Sequence, residues 1–205
     1  MLNRKTTTIR ADREFDVPYE DIFVEVDLRP ALHFIAIIAL AVVAAVAYGI
    51  LHDLVTAHVC VEYFTVAHPR IVDSESPVVL ALVWGVMATW WMGLLLGVPL
   101  AFACGAGKRP KRSALDVAPA VGKLLVAMAC CATVAGLAAY GLSRLGVLTI
   151  PMFYLKLIPA ETLPRFAATL WAHNASYAFG VLGGLIVIVG SGGREGNHLE
   201  ECLHD

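Results

Sequence analysis

Four stretches of this chain are too long and too free of charge to sit in water: Ala31–Leu51, Val78–Cys104, Ala118–Leu142 and Phe166–Gly190. Apart from Lys123, none contains Asp, Glu, Lys or Arg. Crossing about 30 Å of hydrocarbon takes about 20 helical residues. A charge at the centre of such a helix costs about 2.5–3.5 kcal/mol. Lipid offers no hydrogen bonds to a bare backbone, so stretches of this kind span as helices. The pattern specifies an all-α fold, a four-helix transmembrane bundle embedded in a lipid bilayer. Composition agrees, with 59% hydrophobic and 16% charged residues over 205 positions, against about 45–50% and about 25% in soluble domains.

The first apolar run starts behind some thirty polar residues. It is also longer than the apolar core of about 7–15 residues of a secretory signal, so it reads as a retained helix. Basic residues set the orientation. Arg4, Lys5, Arg10, Arg13 and Arg29 precede the first run. Lys108, Arg109, Lys111, Arg112 and Lys123 lie between the second and third, and Arg194 follows the fourth. The other two connections carry Arg70, Arg144, Lys156 and Arg165. The expectation is N-in/C-in: residues 1–30 form a cytoplasmic N-terminal segment, 31–190 the transmembrane domain and 191–205 a cytoplasmic tail. The loops at 52–77 and 143–165 face outward, and the membrane is the inner (cytoplasmic) one. Within the first segment, Phe15–Leu28 alternates enough to be a short strand or an interfacial stretch. Val147–Ile158, broken by Pro151 and Lys156, is expected to lie at the outer interface.

Helices pack in lipid through small residues, and two such pairs stand out, Gly93/Gly97 and Gly180/Gly184. His173, Tyr177, Gly180 and Gly184 fall on one helical stripe. If the glycines mark a helix–helix face, His173 points into the bundle. Trp90 and Trp91 fall mid-helix and are expected to pack in the core. Of the five cysteines, Cys104, Cys130 and Cys131 lie in apolar runs as packing residues, and no C-x-x-C pair exists.

The chemistry gathers at the outward end. His52 and Asp53 close the first run, His58, Cys60 and Glu62 follow, His68 precedes Pro69, and His173 enters from the fourth run. One account is a metal site. His52, Asp53, His58, Glu62, His68 and His173 offer imidazole and carboxylate ligands for a transition metal. Haem would need His52 as the partner of His173. The other account is structural: His52 and Asp53 cap the first helix, His58 and Glu62 are solvated, and His173, Asn174 and Ser176 hydrogen-bond between helices. A proton relay through His173 is a third. Gly105-Ala-Gly-Lys108 lacks the Ser or Thr and the strand context of a phosphate loop. The Lys108–Arg112 cluster reads as a topology signal that touches anionic head groups. His198, Cys202 and His204 sit in a short tail.

At His52-Asp53-x-x-Thr56, Glu62-Tyr-Phe-Thr-x-x-His68-Pro69, Thr89-Trp-Trp-x-Gly93 and His173-Asn-x-x-Tyr177, the chain resembles an uncharacterised family of small bacterial membrane proteins. The resemblance covers most of residues 30–190. It implies a four-helix inner-membrane protein whose His52, Asp53, Glu62, His68 and His173 act together, and it supplies no activity. Families that use C-x-x-C pairs for membrane redox chemistry fit poorly.

Three functions are therefore open: a structural or accessory membrane component binding a membrane-protein partner or a second copy of itself, a metal- or haem-binding protein with redox activity as one form, and a small proton-coupled transporter. With a net charge of −2, nucleic acid is not an expected partner.

Overall fold

A computed structural model describes residues 28–105 and 112–192. The expectation for Phe15–Leu28, all but its last residue, and those for residues 106–111 and for the tail's His198, Cys202 and His204 lie outside the described residues. Within them the elements are α1 (Arg29–Val59), α2 (Val61–Val66), α3 (Pro77–Met87), α4 (Trp90–Gly105), α5 (Ala114–Arg144), α6 (Met152–Leu155) and α7 (Leu163–Gly192). Four helices are long and apolar enough to cross a membrane: α1, the α3–α4 pair taken as one span Pro77–Gly105, α5 and α7. Large aliphatic side chains such as Leu51, Val55, Leu137 and Ile186 are exposed along their length. Water would penalise such a surface by about 25 cal/mol per Å², whereas lipid does not. The all-α, four-helix reading holds.

The boundaries differ in instructive ways. The helix of α1 does not end at Leu51 but runs two further turns to Val59. His52 and Asp53 therefore do not cap it. They belong to an inward stripe of Gly49, Asp53, Thr56 and Ala57, all buried, whose spacing of three or four residues is helical. After Cys60, α2 folds back over the end of the bundle with Tyr63 and Phe64 buried. The connection after α1 is therefore shorter than 52–77 and partly helical. The second span breaks at Ala88–Thr89, where the Thr89 hydroxyl bonds the Gly85 carbonyl and the Thr89 N–H turns to Val86 O at 3.2 Å. α5 begins earlier than position 118 because Ser113 and Asp116 form a reciprocal capping box.

Two side-chain expectations fail. Trp90 and Trp91 are 47% and 44% exposed rather than core residues; at the start of α4 they turn to the outer surface while Gly93 takes the inner face. Cys130 is exposed as well, whereas Cys104 is buried.

α5 packs along α7, and α1 packs against α3 and α4; α4–α7 and α1–α5 contacts join the two halves. Glycine makes the close approaches. A Cβ on Gly85 would sit 2.6 Å from the Ile50 backbone, and one on Gly93 would sit 2.6 Å from Val42 Cα. Gly180 and Gly184 instead face the Met128 and Leu96 side chains. Two packed clusters close the ends. One gathers Ala57, Tyr63, Phe64, Leu80, Ile150, Ile158 and Phe166; the other gathers Ile37, Leu100, Ala101, Cys104 and Val117. Ile150 and Ile158 thus tuck the α6 segment into the first cluster, while Met152 and Phe153 stay exposed.

Candidate functional site

Beneath the α2 cover, α1 and α7 bring three ionisable side chains together. One ligand atom each from His52, Asp53 and His173 lies within 4.8 Å of the other two. Among the described residues no other group of three His, Cys, Asp or Glu side chains converges in this way. Asp53 and His173 are 5% and 6% exposed. They sit here because Asp53, on the inward stripe of α1, and His173, on α7, meet near the α2 end of the bundle.

The hydrogen bonds define the chemistry. His173 Nδ1 lies 2.8 Å from the Thr169 carbonyl, one turn back on α7. A carbonyl only accepts, so Nδ1 carries the hydrogen. His173 Nε2 lies 3.1 Å from Asp53 Oδ1. A neutral imidazole protonated on Nδ1 would aim the Nε2 lone pair at a carboxylate oxygen. That contact needs a positive centre, either a proton shared by the pair or a metal ion between them. His52 Nε2 is buried without a hydrogen-bond partner. Its ring meets the edge of His173, with centroids 4.6 Å apart at 75°. A buried polar atom with no partner is costly and is the kind of group that a ligand satisfies.

A second layer surrounds these groups. Tyr48 Oη and Ser176 Oγ are hydrogen-bonded at 2.8 Å, linking α1 to α7. Tyr48 also stacks on His52 at 5.6 Å. From α2, Tyr63 lies 4.5 Å and Phe64 5.7 Å from the His173 ring, covering it on the side of the α2–α3 connection. Thr169 Oγ1 is buried without a hydrogen-bond partner.

The remaining sequence candidates do not join the cluster. His68 stands one layer out. Its Nδ1 bonds Tyr63 O at 3.0 Å, and its ring packs on Tyr63 and Trp84 at 4.8 and 4.6 Å. Burial pushes the His68 imidazole below its ordinary value, partly offset by that carbonyl contact. His58 is exposed and turns back to the Leu54 carbonyl. Glu62 accepts a hydrogen bond from the Cys60 thiol at 3.3 Å. Burial, and then the bond to Glu62, push that thiol up to about 12. Burial likewise raises the Tyr63 phenol. Of the interhelical polar set, Ser176 and His173 do bridge helices, whereas Asn174 is exposed.

Tyr48, Tyr63, Phe64, Trp84 and Thr169 complete the surroundings, and the sequence reading does not single them out. A signal for Tyr48 exists: Tyr48 and His52 stand four residues apart, on one helix face once α1 is continued past Leu51.

Compared with protein-family models, with curated proteins and with solved structures, the chain matches none.

Proposed function

We infer that this multi-pass membrane protein binds one transition-metal ion at His52, Asp53 and His173. The observation that carries the reading is the convergence of these three ligand atoms, with His52 Nε2 unpartnered and His173 Nε2 aimed at Asp53. Tetrahedral bonds of about 2.0–2.1 Å place ligand atoms about 3.3 Å apart, so the side chains close on an ion with small rotations. His173 also has the partner expected of a metal-bound imidazole, its Nδ1–H held by the Thr169 carbonyl. Two imidazoles and one carboxylate suit zinc, iron, copper or nickel, and three protein ligands leave a position open for chemistry. The edge-to-face contact of His52 and His173 leaves no plane between them for haem.

A second reading rests on the 3.1 Å contact between His173 Nε2 and Asp53 Oδ1. Without a metal, the pair holds one proton inside the bundle, as a proton-handling site would. A structural or accessory role uses the same contact as an interhelical tie.

The site belongs to the outward end, on the charge asymmetry of the connections. The inner-membrane assignment rests on that asymmetry and on the resemblance of the His52–Pro69 region to small bacterial membrane proteins. An impermeant thiol reagent should reach a cysteine placed at Asp73 in intact cells; protection of that position would reverse the topology.

Elemental analysis of protein purified without chelators, then reloaded with zinc, cobalt, nickel or copper, tests the metal. The expected result is about one ion per chain, lowered about tenfold or more in Asp53→Asn and in His173→Gln. Stoichiometric binding that survives both substitutions would overturn the reading.

A further inference from the structure

The polar cluster is one end of a longer space. A partly open cavity of about 120 Å³ runs between α1, α4, α5 and α7. It borders α1 from Ala41 to Asp53 and α7 from His173 to Ile188, about 18–22 Å along the bundle at about 1.5 Å per residue. Its polar lining is concentrated at one end, where His52, Asp53, His173, Tyr48, Ser176 and Thr89 meet. Leu96, Leu100, Met128 and Ile188 line the remainder with other apolar and small residues. One water needs about 10–15 Å³ on this measure, so the space takes roughly eight to twelve non-hydrogen atoms. It is long and narrow, and apolar except at its head.

A second, wider space adjoins it. A groove of about 730 Å³ lies between α1 and the α5–α7 pair. Tyr48, His52 and Leu125 line both spaces. The outer groove is bordered by Leu51, Val55, Val126 and Leu137, all exposed on the surface that faces hydrocarbon. His52, with its unpartnered Nε2, stands at the junction.

We propose that the cavity binds a single-chain lipid taken sideways from the bilayer, with a neutral hydroxyl or carbonyl head at His52, Asp53 and His173 and its chain lying towards Leu96. The volume rejects two acyl chains. In the metal-free cluster the Asp53 carboxylate disfavours an anionic head, while His52 and the His173–Asp53 pair offer hydrogen-bonding partners to a neutral oxygen. Gly180 and Gly184 keep the chain's path open, because side chains there would crowd Met128 and Leu96. This inference rests on the proposed site being a ligand site at its polar end, not on the ion that it holds.

The probe is a primary alcohol of about nine carbons with a diazirine near the chain end, about twelve non-hydrogen atoms in all, added to the full chain in phosphatidylcholine nanodiscs, with the crosslinks mapped by mass spectrometry. The Gly184–Leu96 contact lies about 16 Å along α7 from His173, so the label should fall on Leu96, Leu124 or Met128. Unlabelled decanol should compete it away, and in chelator-treated samples decanoate should compete about tenfold less well. Ala44→Phe, which fills the cavity from α1, should reduce it about tenfold or more. Leu182→Phe, on the exposed face of α7, should leave it unchanged. Labelling confined to lipid-facing positions such as Leu182 and Ile186, or undiminished in a folded Ala44→Phe, would overturn the proposal. The wild-type map decides the matter if Ala44→Phe does not fold. Metal content measured on the same samples separates the two readings. Cavity labelling without metal sinks only the metal site, and bound metal without cavity labelling sinks only the lipid site.

Discussion

His173 and Asp53, 120 positions apart in the chain, meet Nε2 to Oδ1 at 3.1 Å inside the bundle. The contact joins α1 to α7, two helices that otherwise touch little. Removing the imidazole leaves a buried carboxylate without its partner, and breaking a buried pair in this way costs about 3–5 kcal/mol. His173→Ala should therefore insert normally but unfold at a lower denaturant fraction. Adding Asp53→Asn should recover much of the loss, because the remaining amide carries no charge. Unfolding titrations of the two single variants and the double variant measure the coupling; strictly additive effects would mean that the pair does not interact.

Much of this is legible in the chain itself. The four spans follow from uncharged length alone, and the stripe of His173, Gly180 and Gly184 places His173 in the bundle. The nearby partner is harder. A His-Asp pair at the end of an apolar run looks like a helix cap, and only the buried stripe through Thr56 and Ala57 shows that the helix continues. His58 and Glu62 are candidates by residue type. The added turns of α1 point His58 outward, and Cys60 engages Glu62. The Tyr63 and Phe64 cover depends on α2 folding back, a tertiary arrangement that no periodicity within six residues encodes.

Thr169 separates a packing role from a binding one. Its hydroxyl is buried without a hydrogen-bond partner, a state that costs about 1–3 kcal/mol. Thr169→Val keeps the shape and removes the orphaned group. Unfolding of the purified variant should show unchanged or higher stability, by up to about 1 kcal/mol. The carbonyl that holds His173 Nδ1 belongs to the backbone and is retained, so metal content should be unchanged too. A marked loss of stability would show that the hydroxyl has a partner in the folded protein.

Acid should loosen the α2 cover. His68 has a folded-state value below the ordinary one because burial disfavours its charged form. A group shifted this way contributes stability that is present above its unfolded value of about 6.5 and is lost as pH falls through the lower folded value. The groups facing it are Tyr63, Phe64 and Trp84, with Asp53 and His173 farther in. Protease nicking of the 60–76 connection should rise between pH 7 and pH 5 in the wild type. His68→Phe should flatten that rise, whereas a profile identical to the wild type would place the acid sensitivity elsewhere.

The glycines predict a graded series rather than a common penalty. In Gly85→Ala and Gly93→Ala the new methyl meets backbone atoms at 2.6 Å, the Ile50 N and Cα for one and Val42 Cα for the other. Backbone cannot rotate aside, so α1 must move away from α3 or α4, at a cost of about 1–3 kcal/mol. In Gly183→Ala the nearest atom is the tip of the Leu124 side chain, which can change rotamer, and the effect should be smaller. At Gly122 and Gly141 an added methyl would meet nothing within 4 Å. Alanine there should be neutral or should gain up to about 1 kcal/mol of helix preference. Unfolding free energies across the five variants should rank in that order. An equal loss at Gly122 and Gly85 would mean that the α1–α3 contact is not what the glycines serve.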